Sequence, residues 1–546
     1  MLILTLTVVA ILLVRVMAER SGRDASLEDG ALARFLDSPA VVVVVFITTF
    51  VAVWYAWAAR NPMPVVHDEM AYVLQSEILA RGRWALPSPA FPLFWEQAHV
   101  LVTPAIAAKY FPGHALAMTP GALVGWPALM PLLLQSTSAV LLYVLARRIA
   151  SGGVAFLAWI VWLFTPMVMY FGASYFAQAT STACWLAGWY ALLRWRETRD
   201  ARWIVALGFL AGWVTITRPL TGVAYMIPVA FVVLRDVIAK NHWRHLALAL
   251  TTGTAVIAIL PLWSARTTGD WRTTPQTLYT RMYMPYDVPG FGYDSTPPTH
   301  SITPELVQLN KVYGSVHVDH FPRTLPGAFI TRSRYLAISI WGVSSGILGV
   351  FAMLGLATLG GPAVFAVTSS VLLIAAYLVY ATPPGWTLYY YESVPAFAYL
   401  TAAGMAWAAS LAMRGGTANS PLTWRSRRLG TALVTGALVL ALPGLISLRI
   451  IHAQHISDRR YLAPFYGLLA SIHDERAVVF VRYAPNHNPH VTFVRNFANP
   501  DAERIWVVYD RGDAENARFL AAARGRTSYL FDEQRGQTFQ YVPAVR

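Results

Sequence analysis

Residues 41–59 read VVVVVFITTFVAVWYAWAA, and residues 60–84 continue RNPMPVVHDEMAYVLQSEILARGRW. The first stretch carries no charge and has the length, about 20 residues, that crosses a hydrocarbon core. Lipid offers backbone N–H and C=O groups no partners, so a helix that bonds them internally is the expected form. The second stretch stops that helix at Asn61-Pro62-Met63-Pro64, because proline lacks a donor and disfavours helix before it. It then gathers polar groups at His67-Asp68-Glu69. An apolar span ending in a carboxylate pair is the pattern from which the rest of the chain is read.

Uncharged runs recur at 246–265 and 361–382. Across 546 residues, 56% are hydrophobic and 13% charged, against roughly 25% charged in soluble domains. About twelve spans satisfy the length criterion, near 1–17, 39–59, 127–146, 154–172, 176–194, 202–217, 219–235, 246–265, 335–357, 361–381, 394–412 and 430–449. The first of these could also be a signal-like segment, although no small-residue cleavage site follows it. The expected fold is an all-α polytopic membrane protein over 1–450, followed by a small α/β domain over 451–546. In that tail, 477–482 and 505–510 read as short buried strands, 514–524 as a helix, and 529–531 and 539–542 as further strands.

The formal net charge is +14. Its arginines cluster in short loops: Arg15, Arg20, Arg23 and Arg34; Arg147 and Arg148; Arg194, Arg196, Arg199 and Arg202; Arg235, Lys240 and Arg244; Arg414, Arg425, Arg427 and Arg428. These loops alternate along the chain, as the positive-inside rule requires, so the charge reflects topology and not nucleic-acid binding. The rule keeps them cytoplasmic. Segment 60–126, loop 266–334, loop 383–391 and the tail then lie on the extracytoplasmic side of the plasma (inner) membrane, with both termini. A single cysteine, Cys184, inside a span excludes a disulfide framework and a Cys-based metal site.

Asp68 stands where a new helix begins, a favourable place for a first-turn carboxylate. Met70, Val73, Leu74 and Ile78 recur at helical spacing and Gly82 is a natural stop, which predicts a short helix lying in the membrane interface. The bland reading of Asp68 and Glu69 is a capping pair. The functional reading is a general base: a carboxylate near low dielectric has a raised proton affinity, which suits proton abstraction.

The string His67-Asp68-Glu69-x-x-Tyr72, with Ala80-x-Gly82-x-Trp84 and Pro87, resembles the first external loop of GT-C fold glycosyltransferases. It is most similar to the group that includes protein O-mannosyltransferases, aminoarabinose lipid A transferases and related bacterial enzymes using polyprenyl-phosphate sugars. Further likenesses follow in order: Lys109-Tyr110-Phe111-Pro112-Gly113-His114, Thr217-Arg218-Pro219, Thr268-Gly269-Asp270 with Gly290-Phe291-Gly292 and Thr299-His300-Ser301, then Tyr389-Tyr390-Tyr391-Glu392 with Pro395. One departure is Ala71, where aminoarabinose transferases carry an arginine. It argues against that specificity.

The resemblance implies transfer of a sugar from a polyprenyl-phosphate carrier to a glycan, lipid or protein acceptor, by direct displacement with inversion. Asp68 is the expected base, with Glu69 as its alternative or as an orienter of the acceptor. Arg218 and Lys109 are the expected donor-phosphate residues. Otherwise Arg218 is a snorkelling helix-end charge and Lys109 a solvated loop lysine. His67, Tyr72, His114, Tyr390 and Glu392 are candidate substrate-lining residues, although interfacial tyrosines are ordinary belt residues. No cofactor is firmly implied; His67 and His114 leave a divalent cation open. Loop 266–334 is long enough to serve as a lid. Two readings compete with the transferase. A transporter or flippase of a lipid-linked sugar places polar groups at mid-membrane, usually with internal repeats, and neither is visible. A scaffold that recruits a partner through its tail leaves the Asp-Glu placement to chance.

Overall fold

A computed structural model describes residues 35–541 except 60, 301–302, 414–434 and 436–442. The run that opens the argument forms helix α1 (Pro39–Ala58), and the carboxylate motif opens α2 (His67–Ala80). Three short strands follow, β1 (Leu86–Pro87), β2 (Val100–Leu101) and β3 (Ala105–Ala108), in the order β1-β3-β2. The bundle continues as α3 (Pro112–Leu123), α4 (Leu129–Ile149), α5 (Gly152–Leu163), α6 (Pro166–Gly172), α7 (Gln178–Thr198), α8 (Ala201–Thr217), α9 (Pro219–Lys240), α10 (Trp243–Ile257) and α11 (Ile259–Thr268). Beyond it lie α12 (Pro275–Tyr283), α13 (Pro304–Val318), α14 (Leu325–Trp341), α15 (Ser345–Gly355), α16 (Gly361–Leu378), a 3-10 segment (Thr387–Ser393), α17 (Val394–Met413) and α18 (Pro443–Ser471).

Six of the described helical stretches are long and apolar enough to cross a membrane, or seven if α5 and α6, bent by 64°, count as one. The protein is a multi-pass membrane bundle, and its described residues hold fewer clear spans than the twelve expected over the whole chain. The run at 154–172 breaks because Pro166 cannot continue the preceding helix. The expected spans at 176–194, 202–217 and 394–412 are helices outside that count. Those at 1–17 and, for most of its length, 430–449 lie outside the described residues, as do the first and last arginine clusters.

Glycine sets the closest helix contact. A Cβ on Gly404 of α17 would stand 1.8 Å from the Phe351 carbonyl oxygen of α15, and one on Gly355 would stand 2.1 Å from that of Leu400. Without lipid-excluding hydrophobic force, spans associate through such small-residue approaches. Gly404→Ala is therefore expected to part α15 from α17 and destabilise the bundle by about 1–3 kcal/mol. A lowered melting temperature in detergent checks this.

The tail forms one sheet, β4 (Ala477–Arg482), β5 (Ile505–Tyr509), β6 (Thr527–Asp532) and β7 (Gln537–Gln540), in the order β5-β4-β6-β7, with α19 (Asp513–Ala522) linking β5 to β6. β4 runs parallel to both neighbours, and β7 runs antiparallel to β6. One face of the sheet packs Phe480, Val508 and Leu530 on Ala71, Leu74, Ile78 and Phe94; the other packs Val479 and Phe531 with Val65 and Phe465. Buried Asn496 adds hydrogen bonds to the Trp95 carbonyl and the Gln97 side chain at 2.8 and 3.1 Å. Helix α2 is consequently enclosed, with no fully exposed residue between Pro62 and Ala80. This corrects the expected interfacial helix. The apolar spacing marked one buried face, and the sheet, hundreds of residues away in sequence, covers another.

Loop 266–334 is not structureless. Tyr279, Tyr283, Tyr286, Leu306 and Leu309 pack on Ala98 and Leu101. Buried Glu96 accepts hydrogen bonds from Tyr283 (2.7 Å) and His300 (2.8 Å). The segment is thereby pinned against the first loop.

Candidate functional site: an acid–cation cleft at one end of the bundle

Adjacent residues of α2 divide their work. Glu69 is the third residue of the helix, and its side chain turns back over the start. Its Oε2 accepts from the N–H of Val65 (2.9 Å) and Val66 (3.4 Å), and its Oε1 from Tyr175 N–H (3.2 Å). Such a reach-back satisfies helix-start donors that would otherwise be orphaned. Glu69 is 1% exposed, so it clamps backbone and does not face the cleft. Asp68, one residue earlier, points the other way. Its side chain remains one-third exposed, Tyr110 donates to its Oδ1 at 2.5 Å, and the Nε2 of His99 stands 3.9 Å from its Oδ2. What Asp68 faces is a cleft enclosed by protein. Burial accordingly pushes its carboxyl above the usual range, against the opposing pull of Tyr110 and Lys109.

Lys109 follows β3 and is 6% exposed. Its ammonium lies over the rings of Tyr110 and Tyr279, at 5.4 and 5.0 Å from their centroids. Among the described residues no carboxylate lies within 4 Å of it. Burial lowers its proton affinity, and Asp287 and Asp68 raise it partway back. It is a desolvated cation, not a solvated loop lysine.

Arg218 is held at the junction of α8 and α9. Its Nη1 donates to Glu392 Oε1 at 2.9 Å and its Nη2 to Tyr377 at 3.2 Å, with the guanidinium over the Tyr377 and Tyr389 rings. Glu392 is wholly buried and also accepts from Ser181. It therefore serves as a counter-ion and not as a lining residue. Gly113 lets α3 approach this junction: a Cβ there would stand 2.3 Å from Thr217 Oγ1. Tyr72 stacks on Tyr110 at 4.6 Å and feels the charges of both Asp68 and Arg218, so acid and guanidinium flank one aromatic wall.

Other expected residues sit at the margin. The Nε2 of His67 donates to the Pro489 carbonyl, a contact from the tail across the top of the cleft, and burial pushes its imidazole down to about 3. His114 donates from Nε2 to the Tyr175 carbonyl (2.9 Å), so its Nδ1 accepts from Thr180 (2.7 Å). Both ring nitrogens of His114 are thus engaged, and among the described residues no three His, Cys, Asp or Glu side chains form a metal-holding group. Tyr390 turns away, its hydroxyl 3.4 Å from Nη1 of Arg332; Tyr389 takes the inward place. In a 3-10 segment one position shifts the facing by about 120°.

The structure adds residues that the pattern did not single out. His99, with φ of +66°, carries no sequence signal. Asp287 accepts from Tyr380 at 2.6 Å and lies 3.9 Å from His317. Tyr313 of α13 and His490 of the tail, their rings 6.4 Å apart, both feel Asp68. Tyr110 was legible only as part of the Lys109–His114 string.

Fold and cleft together define a helical membrane protein whose acid and cations converge beside apolar spans, suited to an anionic headgroup on a lipid tail. Residues 115–264 match the family described as dolichyl-phosphate-mannose-protein mannosyltransferase. The fold is that of ArnT from Cupriavidus metallidurans, solved with undecaprenyl phosphate: 15% identity, 90% of this chain and 93% of that one covered, TM-score 0.52. The Archaeoglobus fulgidus oligosaccharyltransferase in its apo form also matches, at 11% identity over 90% of this chain and 69% of that one, TM-score 0.46. No curated protein matches the sequence. The sequence thus resembles that mannosyltransferase family over residues 115–264, and the fold resembles that of ArnT over most of the chain.

Proposed function

We propose that the chain is an integral membrane glycosyltransferase that moves a sugar from a polyprenyl-phosphate carrier to an acceptor at the extracytoplasmic face. The observation that carries this reading is a carboxylate of raised proton affinity, Asp68, beside a desolvated ammonium, Lys109, at one end of a GT-C bundle. Orientation is supported by Arg148, Arg196 and Arg235 lying at the far ends of α4, α7 and α9, the ends the positive-inside rule keeps cytoplasmic.

In the reaction, the acceptor oxygen attacks the anomeric carbon from the face opposite the phosphate. The C1–O bond to phosphate breaks, and the lipid phosphate leaves as a monoester with the bonding pair. The acceptor proton passes to Asp68 Oδ2, while the Tyr110 hydroxyl holds Oδ1 in place. Lys109 stabilises the charge growing on the leaving phosphate. Arg218, already balanced by Glu392, contributes directional donors more than net charge. Inversion follows from a single displacement.

The test is a transfer assay with purified protein and a panel of polyprenyl-phosphate sugars. Turnover of at least one donor supports the reading; failure of every donor with every acceptor class sinks it. Lys109→Met removes a charge-assisted contact of about 1.5–3 kcal/mol, so kcat/KM for the donor is expected to fall about 10–100-fold, through KM for the contact to the bound phosphate and through kcat for the charge that grows on it. An unchanged donor KM would remove Lys109 from phosphate binding.

A further inference from the structure

At the end of the bundle away from Asp68 lies a groove of about 640 Å³ between α4, α7, α9, α16 and α17. Its walls are apolar: Leu145, Leu192, Phe231, Phe365 and Tyr399 each come from a different helix. It opens sideways, since Phe231 and Ile227 on its α9 wall are 68% and 53% exposed. Its rim is basic, formed by Arg196 and Arg235.

The rim charges are not balanced. Asp236 is the shared counter-ion of three arginines: Arg196 Nε at 2.9 Å, Arg199 Nη2 at 3.0 Å and Arg235 Nη2 at 3.1 Å. One carboxylate against three guanidiniums leaves two positive charges. Arg196 uses only Nε on Asp236, so both its terminal nitrogens remain for another acceptor. Arg199 lies over the Trp195 ring at 4.7 Å, and its buried Nε and Nη1 have no hydrogen-bond partner among the described residues. Fixed donors above an apolar groove in a membrane-spanning bundle match one kind of molecule: a phosphate headgroup with acyl chains beneath it.

We propose that this groove holds an anionic phospholipid, its phosphate on Arg196 and Arg235 and an acyl chain between α7, α9 and α16. The site is separate from the acid–cation cleft. Arg218 and Arg235 stand 17 residues apart along α9, about 25 Å at 1.5 Å per residue. A lipid headgroup therefore binds at the opposite membrane surface from Asp68. An amine-bearing zwitterionic headgroup would place its ammonium against the uncompensated arginines, which gives the site its sign preference.

The experiment is native mass spectrometry of the full chain in detergent, titrated with phosphatidylglycerol or phosphatidylethanolamine of matched acyl chains. At least a tenfold preference for phosphatidylglycerol is expected in the parent. Arg196→Gln with Arg235→Gln should reduce that preference to near parity. Ala366→Trp fills the groove without touching a charge and should weaken both lipids. Melting curves in detergent identify any variant that fails to fold, and each substitution is informative alone. Equal binding of the two lipids by the parent overturns the proposal. So does a preference that survives both the arginine and the groove-filling variants, which would mark non-specific annular lipid.

Discussion

Asp68→Asn is expected to lower turnover about 10²–10⁴-fold, the usual contribution of a general base, and to raise the melting temperature of the solubilised protein at neutral pH. Both effects follow from its burial. The cleft holds the folded carboxyl above its ordinary value, so the base form exists only above that raised value. Rate therefore falls as pH drops through it, and falls again at alkaline pH where Lys109, whose proton affinity burial lowers, gives up its charge. For stability the sign is opposite to that of a salt-bridged acid. The unfolded chain ionises Asp68 more readily than the folded one, so at neutral pH the charge destabilises the fold. That cost disappears below the unfolded value, about 3.9. The asparagine gain should thus be present at pH 7 and absent in strong acid. Turnover within twofold of the parent would remove Asp68 from the chemistry. Lost turnover with a lowered melting temperature across all pH would make the residue structural.

Glu392→Ala is the other large effect, and it is on folding. Arg218 is 9% and Glu392 0% exposed. Removing one partner of a buried pair leaves an uncompensated charge and costs about 3–5 kcal/mol. Replacing both, as Arg218→Met with Glu392→Leu, should recover most of that loss, since a well-packed apolar pair often equals a buried ion pair. If Arg218 also orients donor phosphate, the double variant regains its melting temperature but not its transfer rate. Recovery of both would leave Arg218 a purely structural residue.

These expectations rest on placements that were unevenly legible. The apolar run at 41–59, the helix break at Pro62 and Pro64, and the start of α2 are local, and periodicity and proline chemistry locate them. The strands at 477–482 and 505–509 are likewise local, as short runs of β-branched and aromatic residues. What could not be read were contacts distant in sequence. Glu69 and Asp68 are neighbours with the same chemistry. Only a turn of about 100° around the helix, and Tyr175 more than a hundred residues on, decide which faces the cleft. Arg218 offered a charge at a helix end, but not the Glu392 that neutralises it. Asp287 lies in an aperiodic segment and becomes visible only when α12 and α13 fold back over the first loop. Ala71, the departure from the aminoarabinose pattern, proves fully buried toward the sheet. An arginine there would have to enter an apolar core.

The sheet's grip on α2 also has a bearing on biogenesis. Residues 65–110 leave the ribosome hundreds of residues before their apolar cover at Phe480, Val508 and Phe531. During synthesis the cleft is thus an unfinished half-shell with exposed hydrophobic surface. The cleft wall around α2 is complete only once β4, β5 and β6 have docked on it.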